Sequence, residues 1–307
     1  MSIYTYELKR GDRGYPVREL QKRLNKRLGC GLGVDGILGP KTLEAAWACN
    51  RAGSPDALMP AGFKLTQDAL ANCGLKIVLC ADLSGHNEQG PKDRVDVAKM
   101  KAAGVGALYL KMTEGTTYVN EEALRQAAEA RKHGLLVGGY HYGQPARGYE
   151  KKLSPEESGR AEALHYLETT RHLIGLGVNL VHAYDLESGV EKDKTADEDE
   201  FNARHAAAVL DVWDADRTIT VGMPFGDVQS GVYTARWAEN LYFERAAPAT
   251  QARLAKRPLW LASYNSGVDA TRWPDLWSGW FAWQFTGKGK IDGVRGNVDL
   301  SWMILPT

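Results

Sequence analysis

The stretch LVHAYDLESG, residues 180–189, reads as a buried strand that ends in two acids. Side chains of a strand alternate between its two faces, so Asp185 and Glu187 project to the same side. Two carboxylates on one face repel each other, and each is costly to remove from water. The stretch alone leaves two readings open: a solvated strand end that runs into a polar turn, or a cleft in which both acids meet a ligand.

The composition is that of an ordinary soluble globular protein, with 44% hydrophobic and 25% charged residues in a chain of 307. Lys plus Arg and Asp plus Glu both number 38, and this balance does not support nucleic acid or an anionic membrane as a partner. The N-terminus lacks the pattern of a signal peptide, and no segment approaches 18 apolar residues. We therefore expect a protein that is made in the cytoplasm without stable membrane association. A monomer is expected independently of these features. Four cysteines without a CxxC pair predict buried free thiols: Cys30, Cys49, Cys73 and Cys80.

From Lys76 onward, apolar strand-like runs alternate with amphipathic helices, which indicates parallel strands joined by crossover helices. Helices are predicted near 121–133, 154–173, 198–213 and 236–246, and an inserted loop near 217–230. An open doubly wound sheet could carry this pattern, but eight strands favour a barrel. The last three strands have short connections. The eight predicted strands are KIVLCADLS (76–84), GALYLKMTEG (106–115), LLVGGYHYG (135–143), LVHAYDLE (180–187), GVYTA (231–235), PLWLASYN (258–265), GWFAWQFT (279–286) and VDLSW (298–302).

Polar and aromatic side chains collect at the ends of these strands, whereas the strand starts are apolar. In a parallel barrel the active site is built at the carboxyl ends of several strands. Convergence of this many acids favours a cleft over a solvated turn. The strand-end residues are Asp82, Ser84, Lys111, Thr113, Glu114, Tyr140, His141, Tyr142, Asp185, Glu187, Tyr264, Asn265, Trp283, Gln284 and Asp299.

The residue types at these ends narrow the chemistry. The sequence has no phosphate-binding loop after a strand, no nucleophile elbow and no histidine pair at zinc spacing, so we predict neither a metal nor a cofactor. A carboxylate cluster framed by aromatic rings remains. Hydrolysis of a glycosidic bond needs such a set, because one acid protonates the leaving oxygen, a carboxylate stabilises the oxocarbenium-like centre and flat side chains stack on sugars.

Seven motifs now resemble, in order, the signatures of the glycoside hydrolase family 25 lysozymes over about residues 77–304. They are CADLSGHN (80–87), LKMTEGTTYVN (110–120), GGYHYGQP (138–145), AYDLESG (183–189), GVYTARW (231–237), LWLASYN (259–265) and WFAWQFTGKGKIDGVRGNVDLS (280–301). The resemblance implies a (β/α)5(β)3 barrel that cleaves the β-1,4 bond between N-acetylmuramic acid and N-acetylglucosamine in peptidoglycan.

By the same resemblance Glu187 is the expected general acid and Asp185 its electrostatic partner, while Asp82 and Asp299 complete the acidic pocket. We expect like charge and partial burial to keep Glu187 protonated near neutrality while Asp185 stays ionised. The first motif departs from the usual continuation of the family, which leaves His86 and Asn87 without a role. The expected substrate-binding residues are Glu114, Tyr140, Tyr142, Tyr264, Trp283 and Lys111.

His141, Trp280 and Trp283 could each pack in the core or take part in the site. His141 alternates to the opposite face from Tyr140 and Tyr142, so packing is favoured over catalysis. Trp283 is expected to bind a sugar and Trp280 to fill the core.

The first 75 residues predict a small all-α domain of three helices, with 76–307 as the catalytic barrel. Helical spacing runs over 15–28, Pro40 opens a second helix, and a third begins at Thr66. The segments LKRGDRGYPVRELQKRLN (8–25) and VDGILGPKTLEAAWACN (34–50) resemble a peptidoglycan-binding-like module, over roughly residues 6–73. The resemblance puts Asp35 and Gly36 in its characteristic turn, where shaping the turn is favoured over contacting the wall.

Together the two modules resemble a modular phage endolysin, made in the host cytoplasm and released to the wall through a holin-type membrane lesion. A wall-binding module ahead of the catalytic one is the order common in endolysins that act on Gram-negative hosts. A bacterial autolysin, a secreted effector lysozyme and a wall-binding protein with an inactive barrel remain as alternatives.

Overall fold

The computed structural model describes residues 4–51, 57–88, 90–174, 179–216, 230–264 and 274–305. The predicted loop near 217–230 therefore lies, except for its last residue, outside the described residues. The helices are α1 (Tyr15–Leu28), α2 (Pro40–Asn50), α3 (Gln67–Asn72), α4 (Val97–Ala102), α5 (Ala123–Lys132), α6 (Pro145–Glu150), α7 (Pro155–Ile174), α8 (Ala196–Ala215), α9 (Arg236–Tyr242) and α10 (Pro248–Ala255). The strands are β1 (Glu7–Leu8), β2 (Leu65–Thr66), β3 (Lys76–Leu83), β4 (Val105–Glu114), β5 (Tyr118–Val119), β6 (Leu136–Tyr142), β7 (His182–Asp185), β8 (Ser230–Thr234), β9 (Leu259–Ala262), β10 (Ala282–Gly289) and β11 (Val298–Leu305).

Eight of the strands close into a barrel in the order β3, β4, β6, β7, β8, β9, β10 and β11, and β11 pairs back onto β3. The prediction of a barrel with helices outside it is therefore confirmed. Inward-pointing side chains fill the barrel below the site, among them Cys80, Tyr109, Trp260 and Met303. Strand alternation sends the intervening residues outward, where helices such as α7 and α8 cover them.

The last strand corrects the prediction that acids lie only at carboxyl ends of parallel strands. β11 runs antiparallel to both β10 and β3, whereas the other barrel pairs are parallel. Its connection to β10 is a short turn, and a short turn can join only antiparallel neighbours. Asp299 consequently lies near the start of its strand, yet it reaches the same end of the barrel as the other acids.

The N-terminal helices bury Val17, Leu20, Leu24 and Leu43, which belong to the same continuous apolar core as the outer face of the barrel. α3 begins where the sequence predicts, because the hydroxyl of Thr66 accepts a hydrogen bond from the backbone N–H of Ala69. β1 pairs antiparallel with β2 and ties the start of this segment to its end. The division into domains at residue 75 remains a prediction.

Tyrosines of the N-terminal segment cover the outer face of β10 and β11, whose described connection, residues 290–297, contains no helix. The ring of Tyr6 lies 5.5 Å from that of Trp302, and the ring of Tyr4 lies 5.8 Å from that of Phe285. Tyr15 packs 6.0 Å from Trp280. The first residues of the chain thus complete the outer layer of the barrel.

The cysteines depart in part from the prediction. All four are free thiols, and Cys73 and Cys80 are buried, but Cys30 is exposed. Among the described residues, none of the helices combines the length and apolar character needed to cross a bilayer.

Candidate active site

A cavity of about 200 Å³ opens at the end of the barrel where the parallel strands finish. It brings together seven of the predicted site residues, including all four acids. Its lining consists of Asp82, Ser84, His86, Lys111, Tyr140, Tyr142, Asp185, Glu187, Tyr233, Trp260, Gln284 and Asp299. Glu114 lies behind this lining, Tyr264 lies at the rim with 58% of its surface exposed, and Trp283 lies elsewhere.

Asp185 ends β7, and Glu187 follows one residue beyond it. The backbone there is held on both sides, because Gly143 N–H donates to the carbonyl of Asp185 and Leu186 N–H donates to the carbonyl of Tyr233. Within the described residues, the buried Oδ1 of Asp185 has no hydrogen-bond partner. An unsatisfied buried carboxylate oxygen facing a cavity is an acceptor available to a ligand.

Burial and like charge act together on this pair. Burial and then the charge of Asp299 raise the pKa of Glu187 from 4.5 to about 7, although Lys111 opposes the rise. The predicted protonation of Glu187 near neutrality agrees with this value. The prediction that Asp185 simply stays ionised does not, because burial and then Glu187 raise the pKa of Asp185 well above its usual range. The two carboxyls therefore share protons, with Lys111 favouring the ionised forms.

Asp82 and Asp299 face each other directly across the β3–β11 pair. Burial, and then the charge of Asp299, raise the pKa of Asp82 well above its usual range, while the hydrogen bond from Gln284 lowers it. Gln284 Nε2 donates to Asp82 Oδ2 at 3.0 Å, and its Oε1 accepts from the hydroxyls of Tyr233 at 2.9 Å and Tyr264 at 2.6 Å. These three contacts fix the orientation of the amide and, through it, that of Asp82.

Trp260 forms the aromatic floor of the cavity. Its ring lies 4.9 Å from that of Tyr233 and 6.2 Å from that of Tyr140, both edge to face, and its Nε1 donates to Ser301 Oγ at 3.0 Å. Sequence reasoning missed Trp260 and Tyr233, and it gave Gln284 no role beyond its place at a strand end. Alternation along β8, β9 and β10 separates the residues into two faces, but the pattern alone does not tell which face points into the barrel.

The prediction that Trp283 binds a sugar is not supported by its position. Its neighbours Ala282 and Gln284 point into the barrel, so the indole points outward, where it packs against Trp280 and Phe285 and donates to the carbonyl of Ser263. Trp280 is buried in the same outer cluster, as expected of a core residue.

Of the residues whose roles the sequence leaves open, His86 faces the cavity, whereas Asn87 and His141 do not. His86 lines the cavity, whereas the side chain of Asn87 accepts the backbone N–H of Ser84 and shapes the turn. His141 is fully buried behind the wall, between Thr113 Oγ1 at 2.7 Å and Glu162 Oε2 at 3.0 Å. This is the position of a packing residue.

In the N-terminal segment, Asp35 and Gly36 form the predicted turn. Asp35 Oδ1 accepts from Gln21 Nε2 and from Ile37 N–H, both at 2.8 Å, and Gly36 N–H donates to Gln21 Oε1. Gly36 has φ of 73°, and a Cβ there would lie 2.9 Å from Arg18 Cγ, so another residue would be strained. These contacts account for both residues as turn formers.

Comparison with known proteins shows the family of the chain. Residues 82–294 match the model of glycosyl hydrolases family 25, and the chain belongs to this family. As a family member with this acidic cavity, it is a glycoside hydrolase of the lysozyme type.

Individual relatives are distant. Lysozyme M1 of Streptomyces globisporus is 24% identical over 266 residues, which cover 80% of this chain and 77% of that protein. The autolytic lysozyme of Clostridium acetobutylicum is 28% identical over 206 residues, or 67% of this chain, and the match spans only about half (51%) of that relative. Among solved structures, the CTP1L endolysin matches with a TM-score of 0.54 at 22% identity, over 74% of this chain and 66% of its own.

Proposed function

We propose that the enzyme hydrolyses the β-1,4 bond between N-acetylmuramic acid and N-acetylglucosamine in bacterial peptidoglycan, with Glu187 as general acid and Asp185 as its partner. Family membership and the relatives named lysozymes support this activity. The assignment of roles rests on the Asp185–Glu187 pair at the end of β7. The pKa of Glu187 is raised to about 7, and the neighbouring Asp185 has a buried Oδ1 without a hydrogen-bond partner among the described residues.

Glu187 suits the role of proton donor. A general acid works best when its pKa is close to the working pH, and burial brings the pKa of Glu187 to about 7. The carboxylic acid protonates the glycosidic oxygen as the bond to the anomeric carbon breaks, and the ionised carboxylate then takes a proton from the incoming water.

Asp185 suits the role of orienting the substrate. Its buried Oδ1 has no protein partner among the described residues, and an acetamido N–H of the sugar would satisfy it. Held in this way, the acetamido oxygen attacks the anomeric carbon, so the sugar itself supplies the nucleophile and the configuration is retained.

The competing route uses Asp82 to activate a water and inverts the anomeric centre. Gln284 Nε2 donates to Asp82 Oδ2 at 3.0 Å and so occupies one of the two oxygens that could accept a proton from water, whereas Asp185 keeps one oxygen without a partner among the described residues. These contacts favour the assisted, retaining route.

The test of these roles compares Glu187→Gln with Glu191→Gln, an exposed acid on the same connection after β7. Gln keeps the shape of Glu187 but cannot donate the proton, so turbidity clearance of purified walls should fall by about 10²–10⁴-fold. The control should clear walls like the wild type. Activity of Glu187→Gln within twofold of wild type would show that another group is the acid.

NMR of the first-formed product should show the retained anomer, and an inverted anomer would rule out the assisted route.

We further propose that the enzyme is a phage endolysin that acts as a monomer, reaches the wall through a holin-type lesion and uses its N-terminal helical module to hold peptidoglycan. The likeness to the CTP1L endolysin supports the first part, and the resemblance of residues 6–73 to wall-binding modules supports the last. Deleting the module should slow lysis of intact sacculi more than cleavage of soluble fragments, because tethering raises the effective concentration of the enzyme.

A further inference from the structure

A line of polar side chains leads from the cavity into the barrel wall behind Lys111. Lys111 Nζ lies 2.6 Å from Glu114 Oε2, and the two side chains are only 13% and 24% exposed. The other oxygen of Glu114 accepts from Gln144 Nε2 at 3.0 Å. Glu114 is therefore held from two sides, by the cation in the cavity and by the amide behind it.

Gln144 is in turn fixed by a buried carboxylate. Its backbone N–H donates to both oxygens of Glu162, at 3.1 and 3.2 Å, and Glu162 also accepts from His141 Nε2 at 3.0 Å and His205 Nε2 at 3.2 Å. Burial alone would raise the pKa of Glu162, but the two imidazoles lower it to about 2. This anion is a stable anchor for the start of the segment after β6.

Lys111 is the one Lys or Arg side chain among the described residues that line the cavity. Its Nζ lies 4.5 Å from the ring centre of Tyr142 and 5.5 Å from that of Tyr118, so the rings restrict where the cation can go. Its charge opposes the effect of burial on the pKa of Asp185 and of Glu187. The other titratable groups that face this pair are Glu114 on β4, Asp82 on β3, Asp299 on β11, Tyr140 and Tyr142 on β6, Tyr184 on β7, Tyr233 on β8, Tyr242 on α9, Tyr264 after β9, and His86.

We propose that Lys111 is the fixed countercharge of the Asp185–Glu187 pair, and that Glu114 and Gln144 are positioning residues that hold Lys111 in place. This inference rests on the proposed roles of Asp185 and Glu187. A cation held near two carboxyls lets the site keep one of them ionised in a buried cavity, and a neutralising carboxylate behind the cation limits that effect.

The pH profile of kcat/KM tests this proposal, because the two charges should move it in opposite directions. Lys111→Met removes a cation, so the pKa of Asp185 and that of Glu187 both rise and both limbs of the profile move to higher pH, by roughly one pH unit. Glu114→Gln leaves Lys111 without its neutralising carboxylate, so both limbs move to lower pH.

The contrary result is specific. If Lys111→Met raises KM and leaves both limbs in place, Lys111 is a substrate ligand and the proposal is wrong. If the proposed roles of Asp185 and Glu187 are themselves wrong, the result is different: Glu187→Gln keeps its activity, whether or not the pH profile of kcat/KM moves.

The role of Gln144 is tested by a double-mutant cycle with Glu114. Gln144→Ala removes only the bond to Glu114, because the backbone N–H that reaches Glu162 remains. It should lower kcat/KM severalfold in the wild type and have almost no effect when Glu114 is already Gln. Arg147→Ala is the matched control, since Arg147 lies 3.9 Å from the same oxygen of Glu114 but is half exposed, and it should leave kcat/KM unchanged. If the effects of the Gln144 and Glu114 changes on kcat/KM are additive, the positioning role is wrong. Equal thermal midpoints of all variants would show that a loss of stability does not cause the change in kcat/KM.

Discussion

Replacing Glu187, the proposed general acid, by Gln should stabilise the protein, and only at a pH above its raised pKa. The folded state raises the pKa of Glu187 from 4.5 to about 7, so between these values the folded protein binds a proton that the unfolded chain has released. A group with a raised folded pKa favours the folded state at low pH, and this contribution is lost as the pH rises through the folded value. Above pH 7 the carboxylate is ionised in both states and its burial opposes folding.

The size of the effect follows from the change in proton affinity. Each tenfold change is worth about 1.4 kcal/mol at 25 °C, so a pKa raised from 4.5 to about 7 corresponds to about 3 kcal/mol. Glu187 is partly exposed, and solvent screening reduces the expected gain to about 2–3 kcal/mol. Gln has nearly the same shape, so packing contributes little to the difference.

Urea unfolding at pH 4 and pH 8 measures the prediction directly, with Glu191→Gln as the exposed control. Glu187→Gln and wild type should have the same free energy of unfolding at pH 4, whereas at pH 8 the variant should be more stable by about 2–3 kcal/mol. The control should match the wild type at both values. Equal stabilities at pH 8, or a gain at pH 4 as large as that at pH 8, would refute the argument from burial.

Two further predictions concern packing. Gly279→Ala should lower the free energy of unfolding by about 1–3 kcal/mol, because its Cβ would lie 2.3 Å from the ring of Tyr15. The control Gly33→Ala, whose Cβ would meet nothing within 4 Å, should differ little from the wild type. Equal thermal midpoints of Gly279→Ala and the wild type would show that the N-terminal segment does not press on the barrel. Trp283→Phe should reduce stability and leave KM for soluble wall fragments unchanged, because Trp283 packs outside the barrel. Trp260→Phe should raise KM, because Trp260 lines the cavity. A raised KM for Trp283→Phe would show that Trp283 contacts the sugar after all.

Local periodicity was enough to predict the barrel and much of its acidic end. Asp82, Asp185 and Glu187 follow apolar runs, and alternation alone puts Asp185 and Glu187 on one face. Asp299 was placed at the correct end for an incomplete reason, since the direction of the last strand depends on how it pairs with its neighbours in space.

The errors have a common physical source, which is that contacts distant in sequence decide the outcome. Trp283 alternates with Gln284, and nothing nearby in the sequence indicates which of the two faces inward. The outer face is apolar because Tyr4 and Tyr6, more than 270 residues earlier, cover that side of the barrel. The pKa of Asp185 is likewise raised first by burial, which strands distant in sequence provide, and then by the charge of Glu187.

The most direct test of the muramidase assignment is mass spectrometry of purified peptidoglycan digested by the wild-type enzyme, with the Glu187→Gln variant as the blank. Reduction of the products with borohydride before analysis labels the sugar at each new reducing end. A muramidase leaves N-acetylmuramic acid at that end, so we expect this sugar in the wild-type digest and no such fragments from the variant. N-acetylglucosamine at the new reducing end, or fragments cut only in the peptide, would contradict it.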